Sequence, residues 1–405
     1  MKKITLLFTL FITTLSFAEN TWEKISDLGS DTTGNGLKRE RAVGFSIGNY
    51  GYVGTGIDTA EIVHDDFWKY DPSTNAWTQI ATLPGSVRRN GTSFTIGSKG
   101  YVGLGINTVN STDVGAMILV DFWEYDPMTN AWIQVANYPG GSGIYFAAGF
   151  SVQDKGYVCG GKMGPNNYSD ELWEFNPQTN QWSQKSNFPG GVRYQLTSFS
   201  IDNNGYVGLG TDQDLYRKDF WKYNPTTDQW NSIPDLPASA RANATTFTIG
   251  QRGYVCMGTN GGLLDDLWEY NPFTNQWAVR ANYGGTRRKG AVGFSINNIG
   301  YVGTGKGNSG KKASFQKYYP PAVVGIEEMQ NVISIFPNPV QNQLNLSTSN
   351  AEISHLEIYA LSGVKMINAE WNSQIDVHFL ETGTYFLRGI NAEGQTITTQ
   401  KIIKL

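Results

Sequence analysis

The sequence predicts an all-β protein built from a repeated four-stranded unit. The tripeptide Gly-Tyr-Val occurs six times, and successive copies are 47 to 56 residues apart. A tryptophan-containing segment, of which residues 66–77 are the first copy, occurs five times at a similar spacing. Only 16% of the residues are charged, whereas 13% are aromatic and 47 are glycine, which favours short strands joined by tight turns.

Each unit contains four stretches in which large apolar residues alternate with small or polar ones, as in β-strands. In the first unit we expect these strands over residues 41–47, 52–56, 66–70 and 77–83. The turn at 71–75 has a Pro that fixes φ and an Asn that tolerates left-handed backbone. Four antiparallel strands in about 50 residues form one blade of a β-propeller.

The sixth unit is completed by the opposite end of the chain. Its third strand is expected at residues 314–320, and no tryptophan follows it. Residues 21–28, which include Trp22, match the pattern of 76–83 and precede the first unit. We therefore predict a six-bladed propeller that is closed by the N-terminal strand, so that no blade is left as an unpaired partial sheet.

The N-terminus has the pattern of a signal peptide over residues 1–18. Lys2 and Lys3 precede an apolar run at 4–17, and small residues stand at a cleavage site that ends at Ala18. The run is too short to span a membrane, and no later stretch is longer, so we expect no transmembrane segment. These features predict an exported protein.

Composition argues against several classes of function. The net charge of −4 provides no basic footprint for nucleic acid. The two cysteines, Cys159 and Cys256, fall in units that are not neighbours, so we expect buried free thiols and no disulfide framework. Three scattered histidines do not indicate a metal centre. We expect no metal and no cofactor.

A different region follows the repeats. Residues 321–331 have no repeat pattern and are predicted to be a linker. Residues 332–405 contain short alternating stretches, which predict a small β-sandwich.

Both regions resemble known families. Residues 19–320 resemble kelch-repeat β-propellers in the Gly-rich end of the second strand, the Tyr of the third strand and the Trp that opens the fourth. The paired glycines of that family occur as a true pair only at Gly160-Gly161, and elsewhere in forms such as Gly54-Thr55-Gly56.

The tail is similar to the type A C-terminal sorting domain of type IX secretion. The matching segments are Pro337-Asn338-Pro339, Leu361-Ser362-Gly363, Gly383-Thr384-Tyr385 and the basic end from Lys401 to Lys404. This resemblance implies a bacterium of the Bacteroidetes group, the type IX machinery as a partner, and a secreted or cell-surface location.

Arginines form the candidate ligand site. Five units have an arginine six residues before the central Phe of the first strand, at Arg39, Arg88, Arg193, Arg241 and Arg288, whereas the third unit has Ile144. Propeller threading places them near the channel, on the face with the variable loops. Guanidinium groups bind carboxylates in bidentate fashion, and kelch propellers that bind acidic peptides or sialic acid imply such a role here. Tyr145 and Tyr168 are candidates for stacking on a sugar.

A structural alternative stays open for these arginines. One arginine per blade is also what a repeated ion pair between neighbouring blades would give, with acidic partners such as Asp66, Asp121, Glu171 and Asp219. The expression G-x-S-x-G at residues 44–48 does not indicate a nucleophile, because it lies in a repeated strand with no nearby histidine.

The sequence thus predicts a secreted or cell-surface protein that binds a glycan or protein ligand. Catalysis is the less favoured expectation. The alternative is a sugar mutarotase similar to the sialic-acid epimerase of the kelch group. Its acid–base cluster would be His64 with Asp65 or Asp66.

Overall fold

The computed structural model describes residues 19–30, 36–110, 115–212, 215–321, 333–348, 353–360, 364–392, 394 and 396–405. The predicted signal peptide, most of the predicted linker and the Leu361-Ser362-Gly363 turn lie outside these residues. The chain divides into two compact units, residues 1–320 and 321–405. Within the described part of the chain there is no helix that is long and apolar enough to cross a membrane.

The described residues of the first unit form six four-stranded antiparallel sheets, which are the six blades of a propeller. From the innermost to the outermost strand, blade 1 consists of Val43–Ile47, Tyr50–Gly54, Phe67–Asp71 and Ala76–Ile80. Blade 2 consists of Thr92–Ile96, Lys99–Gly103, Phe122–Asp126 and Ala131–Val135. Blade 3 consists of Ala148–Val152, Lys155–Gly164, Asn167–Asn176 and Gln181–Lys185. Blade 4 consists of Thr197–Ile201, Asn204–Gly208, Phe220–Asn224 and Gln229–Ile233. Blade 5 consists of Thr245–Ile249, Arg252–Thr259, Leu263–Asn271 and Gln276–Arg280.

Blade 6 is assembled from both ends of the first unit. Its inner strands are Val292–Ile296, Ile299–Gly303 and Phe315–Tyr319, and its outermost strand is Thr21–Ile25. The outermost pair is antiparallel, with Thr21 opposite Tyr319 and Ile25 opposite Phe315. The N-terminal strand therefore occupies the position that the sequence predicts for it.

Three two-stranded ladders extend the blades at the end where second and third strands are connected, which we call the upper face. They pair Arg39–Glu40 with Ile57–Asp58, Thr211–Asp212 with Leu215–Tyr216, and Lys306–Gly307 with Gly310–Lys311. The lower face carries the turns between third and fourth strands.

The Gly-Tyr-Val repeat is explained by packing between neighbouring blades. The Phe ring of each innermost strand packs against the glycine of the next blade, so that a Cβ at Gly100 would lie 2.3 Å from the Phe45 ring. All six interfaces repeat this contact, including Gly51 of blade 1 against Phe294 of blade 6. Any side chain at these glycines would separate the blades, and this requirement accounts for the most regular feature of the sequence.

The fourth-strand tryptophans connect each blade to the preceding one. Trp77 Nε1 donates a hydrogen bond to the carbonyl of Ser26 (3.1 Å), and the Ser26 N–H donates to Asn75 Oδ1 (3.0 Å). Trp22 closes the propeller in the same way, by donating to the carbonyl of Ala281 (2.9 Å). These tryptophans are structural, as their repetition in every blade suggests.

The two cysteines are buried free thiols, as predicted. Each replaces the glycine that ends the second strand of other blades and pairs with a leucine on the third strand, Cys159 with Leu172 and Cys256 with Leu267. In the other four blades this glycine faces a phenylalanine whose ring leaves no room for a Cβ. Burial raises the pKa of both thiols well above the usual range.

The second unit is a small β-sandwich. One sheet contains Ile333–Phe336, Gln343–Thr348 and Gln374–Asp376. The other contains Lys365–Glu370, Ile353–Ala360, Gly383–Asn391 and Thr396–Lys404. Side chains from both sheets form its core, among them Leu344, Leu356 and Leu387.

Candidate ligand-binding site at the channel mouth

The five predicted arginines lie inside the propeller wall, and none is more than 3% exposed. Arg88 donates from Nη1 and Nη2 to the two carboxylate oxygens of Asp121 (3.0 and 2.6 Å) and from Nη1 to the carbonyl of Leu104 (3.2 Å). Its backbone bonds to blade 1 instead: the Arg88 N–H donates to the carbonyl of His64, and the Arg88 carbonyl accepts from the N–H of Gly56. Arg88 thus joins two neighbouring blades.

Three other arginines make the same ion pair, with shortest distances of 2.6 to 2.7 Å. The pairs are Arg39–Asp66, Arg193–Asp219 and Arg241–Asp266. Burial alone would raise the pKa of each aspartate. Hydrogen bonds from the arginine and from a tryptophan N–H on the third strand lower the pKa by more than burial raises it, so the pKa is below its usual value. The carboxylates therefore stay ionised and keep the guanidinium donors engaged.

This geometry does not support the arginines as direct ligand contacts. Their donors already serve carboxylates and backbone carbonyls, and their side chains are out of contact with solvent. The arrangement matches the structural alternative, in which each arginine connects two blades. The regular spacing in the sequence reflects this repeated ion pair.

Blades 3 and 6 depart from the pattern in opposite ways. Blade 3 has Ile144 in place of the arginine, and its Glu171 accepts a hydrogen bond from Trp173 Nε1 (2.8 Å). Blade 6 keeps Arg288 but has Ser314 in place of the aspartate. In a six-bladed propeller two blades lie between them on either side, so they lie on opposite sides of the channel.

The upper end of the channel is narrowed by six residues, one per blade, which we call the neck ring. They are Arg41, Asn90, Phe146, Gln195, Asn243 and Gly290. Each has a left-handed backbone with φ between 50 and 60°. The N–H of each donates to the carbonyl of its counterpart in the preceding blade at 2.9 to 3.2 Å, so six hydrogen bonds form a closed circle.

The neck ring encloses a cavity of about 150 Å³. Asn90 is 5% exposed, and neither its Nδ2 nor its Oδ1 has a hydrogen-bond partner among the described residues. Gln195 and Asn243 add two more carboxamides, and Arg41 contributes a partly exposed guanidinium group. The cavity is therefore lined by polar side chains, of which the Asn90 amide has no partner among the described residues.

A second circle of residues surrounds the neck ring, formed by two backbone-paired positions per blade that we call the mouth pairs. They are Glu40–Ile57, Arg89–Ile106, Tyr145–Lys162, Tyr194–Thr211, Ala242–Thr259 and Lys289–Lys306. Their chemistry differs in every blade, although the strands below them repeat closely. Binding residues usually lie on variable segments that a rigid scaffold positions, so we expect the mouth pairs to determine ligand specificity.

An aromatic row runs outward from the neck over blades 3 and 4, and consists of Phe146, Tyr194 and Tyr168. The rings of Phe146 and Tyr194 are 6.0 Å apart, and Tyr168 stacks on Tyr194 at 5.0 Å with 13° between the planes. Arg41 lies 5.5 Å from the Phe146 ring at the neck end. At the outer end the Lys162 ammonium lies 5.3 Å from Tyr194, and burial lowers the pKa of this lysine.

The two predicted tyrosines have different positions relative to this row. Tyr168 belongs to it and is partly exposed. Tyr145 is 5% exposed and packs against the ring of Phe146, with ring centroids 5.4 Å apart. Phe146, Asn90 and Arg41 were not predicted from the sequence, although each stands two residues after the repeated arginine position, where the residue type varies between blades.

Two members of the predicted acid–base cluster have other partners. His64 Nε2 lies 3.0 Å from Asp58 Oδ2 on the blade 1 loop, and Asp66 binds Arg39. Within the described ranges, no group of three or more His, Cys, Asp or Glu side chains is arranged to hold a metal ion.

Comparison with known families agrees with this architecture. Residues 142–302 match the family model of the KLHDC2/KLHL20/DRC7 Kelch-repeats domain, and residues 334–404 match that of the Secretion system C-terminal sorting domain. The chain is a kelch-repeat propeller followed by a type IX sorting domain. The sorting domain supports export to the cell surface or the medium.

A solved structure supports the fold of this kelch propeller. The chain titled "Structure of YjhT" is 18% identical, with a TM-score of 0.57, over 69% of this chain and 94% of that chain. No curated protein matches the sequence significantly.

Proposed function

We propose that this exported kelch propeller is a binding protein whose ligand is a glycan held at the channel mouth. The observation that carries the proposal is the aromatic row of Phe146, Tyr194 and Tyr168, which leads from the open face into the neck cavity. Aromatic side chains offer large rigid apolar faces, and tyrosine adds a polar edge that suits a hydroxylated ligand.

The neck cavity would take one end of the glycan. Its volume of about 150 Å³ is smaller than that of pockets that enclose a drug-sized ligand, which begin at roughly 300 Å³. A buried amide without partners costs about 1–3 kcal/mol, and a sugar hydroxyl or acetamido group that pairs with Asn90 would remove that cost. Arg41 adds a donor for a carboxylate.

A mutarotase is the second candidate, and it requires a group that transfers protons at the sugar. Arg41 is the one ionisable side chain among the described residues that line the neck cavity, and arginine does not deprotonate in proteins. Glu40, which lies 3.7 Å from Arg41 Nε, is the nearest carboxylate. Binding without catalysis is therefore favoured, and a mutarotation rate that the full chain leaves at its uncatalysed value would remove this candidate.

The test is a glycan array with the full chain, followed by titration calorimetry of the glycans that bind. Phe146→Ala and Tyr194→Ala should each weaken binding by about tenfold, the equivalent of about 1.4 kcal/mol. Phe273→Ala is the matched control, because this partly exposed aromatic lies on a lower-face turn. Failure of every glycan to bind, or full affinity in both variants, would contradict the proposal.

A further inference from the structure

The upper end of blade 6 is unusually rich in cations. Residues 284–291 and 304–314 contain six basic side chains and no acidic one, in a chain whose net charge is −4. We call these six residues the basic sector. They are Arg287, Arg288, Lys289, Lys306, Lys311 and Lys312.

Arg288 has lost the carboxylate partner that the other blade arginines keep. Its guanidinium donates to the carbonyls of Thr304 (2.9 Å) and Ser314 (3.2 Å) and to Ser314 Oγ (3.1 Å). Burial is the main cause that lowers the pKa of this arginine. The carboxylate of Asp27 interacts electrostatically with Arg288 but is not hydrogen-bonded to it in the described part of the chain, and a buried charge without a paired carboxylate is costly.

Lys289 and Lys306 form a like-charge mouth pair. Each donates its backbone N–H to the carbonyl of the other, at 3.1 and 2.8 Å, so their side chains start from directly opposite positions. Like charges opposite each other destabilise a strand pair. A local feature that opposes stability in this way is expected at functional sites.

Two of the six cations have carboxylate partners in the described part of the chain. Lys311 Nζ binds Glu61 at 2.7 Å, and Arg287 Nε binds Asp265 at 3.0 Å. Lys312 donates to Ser309 Oγ. The charges of Arg288, Lys289, Lys306 and Lys312 therefore lack an ion-paired carboxylate among the described residues.

The basic sector faces the neck across Gly290, the neck-ring residue without a side chain. A Cβ at Gly290 would lie 3.5 Å from Arg41 Cγ, so the side chain of Arg41 extends over this position. The cations of blade 6 thus continue into the neck. The aromatic row lies over blades 3 and 4, on the other side of the channel.

We propose that the ligand is an acidic polysaccharide whose chain crosses the channel mouth, with sugar rings on the aromatic row and carboxylate or sulfate groups at Lys289 and Lys306. The inference rests on the proposed glycan binding and adds the chemical class of the glycan. Anionic groups of the ligand would supply the counter-charges that the fold itself leaves out.

The test compares three oligosaccharides of equal length: a polyuronate, a sulfated glycan and a neutral glycan. We expect the full chain to bind at least one acidic probe ten or more times as tightly as the neutral probe, and to lose this preference as salt rises from 50 to 300 mM. The double variant Lys289→Gln/Lys306→Gln should lose tenfold or more in affinity for that probe and keep its affinity for the neutral one. The two acidic probes distinguish carboxylate from sulfate recognition.

The matched control is Lys155→Gln/Lys222→Gln, which removes the same charge away from the upper face and should leave both affinities unchanged. Equal affinity for acidic and neutral probes overturns the inference while leaving glycan binding intact. Equal loss in the control, or binding of a DNA oligonucleotide as tight as that of the acidic probe, also overturns it. Absence of binding to any glycan would instead overturn the proposed function.

Discussion

Cysteine replaces the glycine at the end of the second strand in two blades, and this difference allows a test of how the second and third strands pack. In four blades a Cβ at this glycine would lie 2.2 to 2.5 Å from the facing phenylalanine ring. In blade 3 the pair is Cys159 and Leu172. Leu172→Phe alone should therefore overpack the blade and lower the free energy of unfolding by about 1–3 kcal/mol.

Cys159→Gly alone should cost about 1–2 kcal/mol, because it removes buried surface and adds backbone freedom to the unfolded chain. The double variant recreates the pair found in blade 2, where Gly103 lies against the ring of Phe122. We expect its free energy of unfolding to be within about 1 kcal/mol of wild type, which gives a favourable coupling of about 1 kcal/mol or more.

Urea unfolding followed by tryptophan fluorescence measures this coupling, since eleven of the twelve tryptophans lie in the propeller. The reverse exchange in blade 2, Gly103→Cys with and without Phe122→Leu, is the matched control. Additive effects in both blades would refute the steric explanation.

Two further perturbations test the ion pairs and the closure of the propeller. Asp121→Asn should cost about 3–5 kcal/mol at pH 7, because it leaves Arg88 charged, buried and without its carboxylate. The folded pKa of Asp121 is below its usual value, so its contribution is complete above about pH 4 and is lost as pH falls through the folded pKa. Urea unfolding should accordingly give a smaller difference at pH 3 than at pH 7, and an equal difference at both would contradict the ion-pair argument. Trp22→Ala should cost about 3–5 kcal/mol, since Trp22 packs on Tyr283 and Tyr318 at 5.0 and 4.9 Å. An unchanged melting temperature would show that the N-terminal strand does not contribute to closure.

The sequence was sufficient to predict the propeller because its packing is repeated. Each Gly-Tyr-Val copy meets the same phenylalanine of the preceding blade, so one steric requirement appears six times. The closing strand was predictable for the same reason, because Trp22 repeats the pattern of Trp77.

The candidate site was less predictable because regularity was the wrong signal for it. The arginines recur in five blades since they join the blades through buried ion pairs. Phe146 and Asn90 occupy equivalent backbone positions with unrelated side chains, so no residue pattern connects them. Their proximity depends on the curvature that closes the propeller, which brings residues about 50 positions apart within one hydrogen bond.

The circle of hydrogen bonds at the neck also determines where charge selectivity can originate. All six N–H groups point toward the preceding blade and all six C=O groups toward the following one, so the tangential dipoles at opposite positions of the circle cancel. This circle therefore contributes no net dipole along the channel axis, unlike a helix terminus that faces a ligand. Attraction or rejection of a charged ligand must come from side chains, and a few substitutions at the mouth pairs could redirect this scaffold to a ligand of opposite charge without disturbing the propeller.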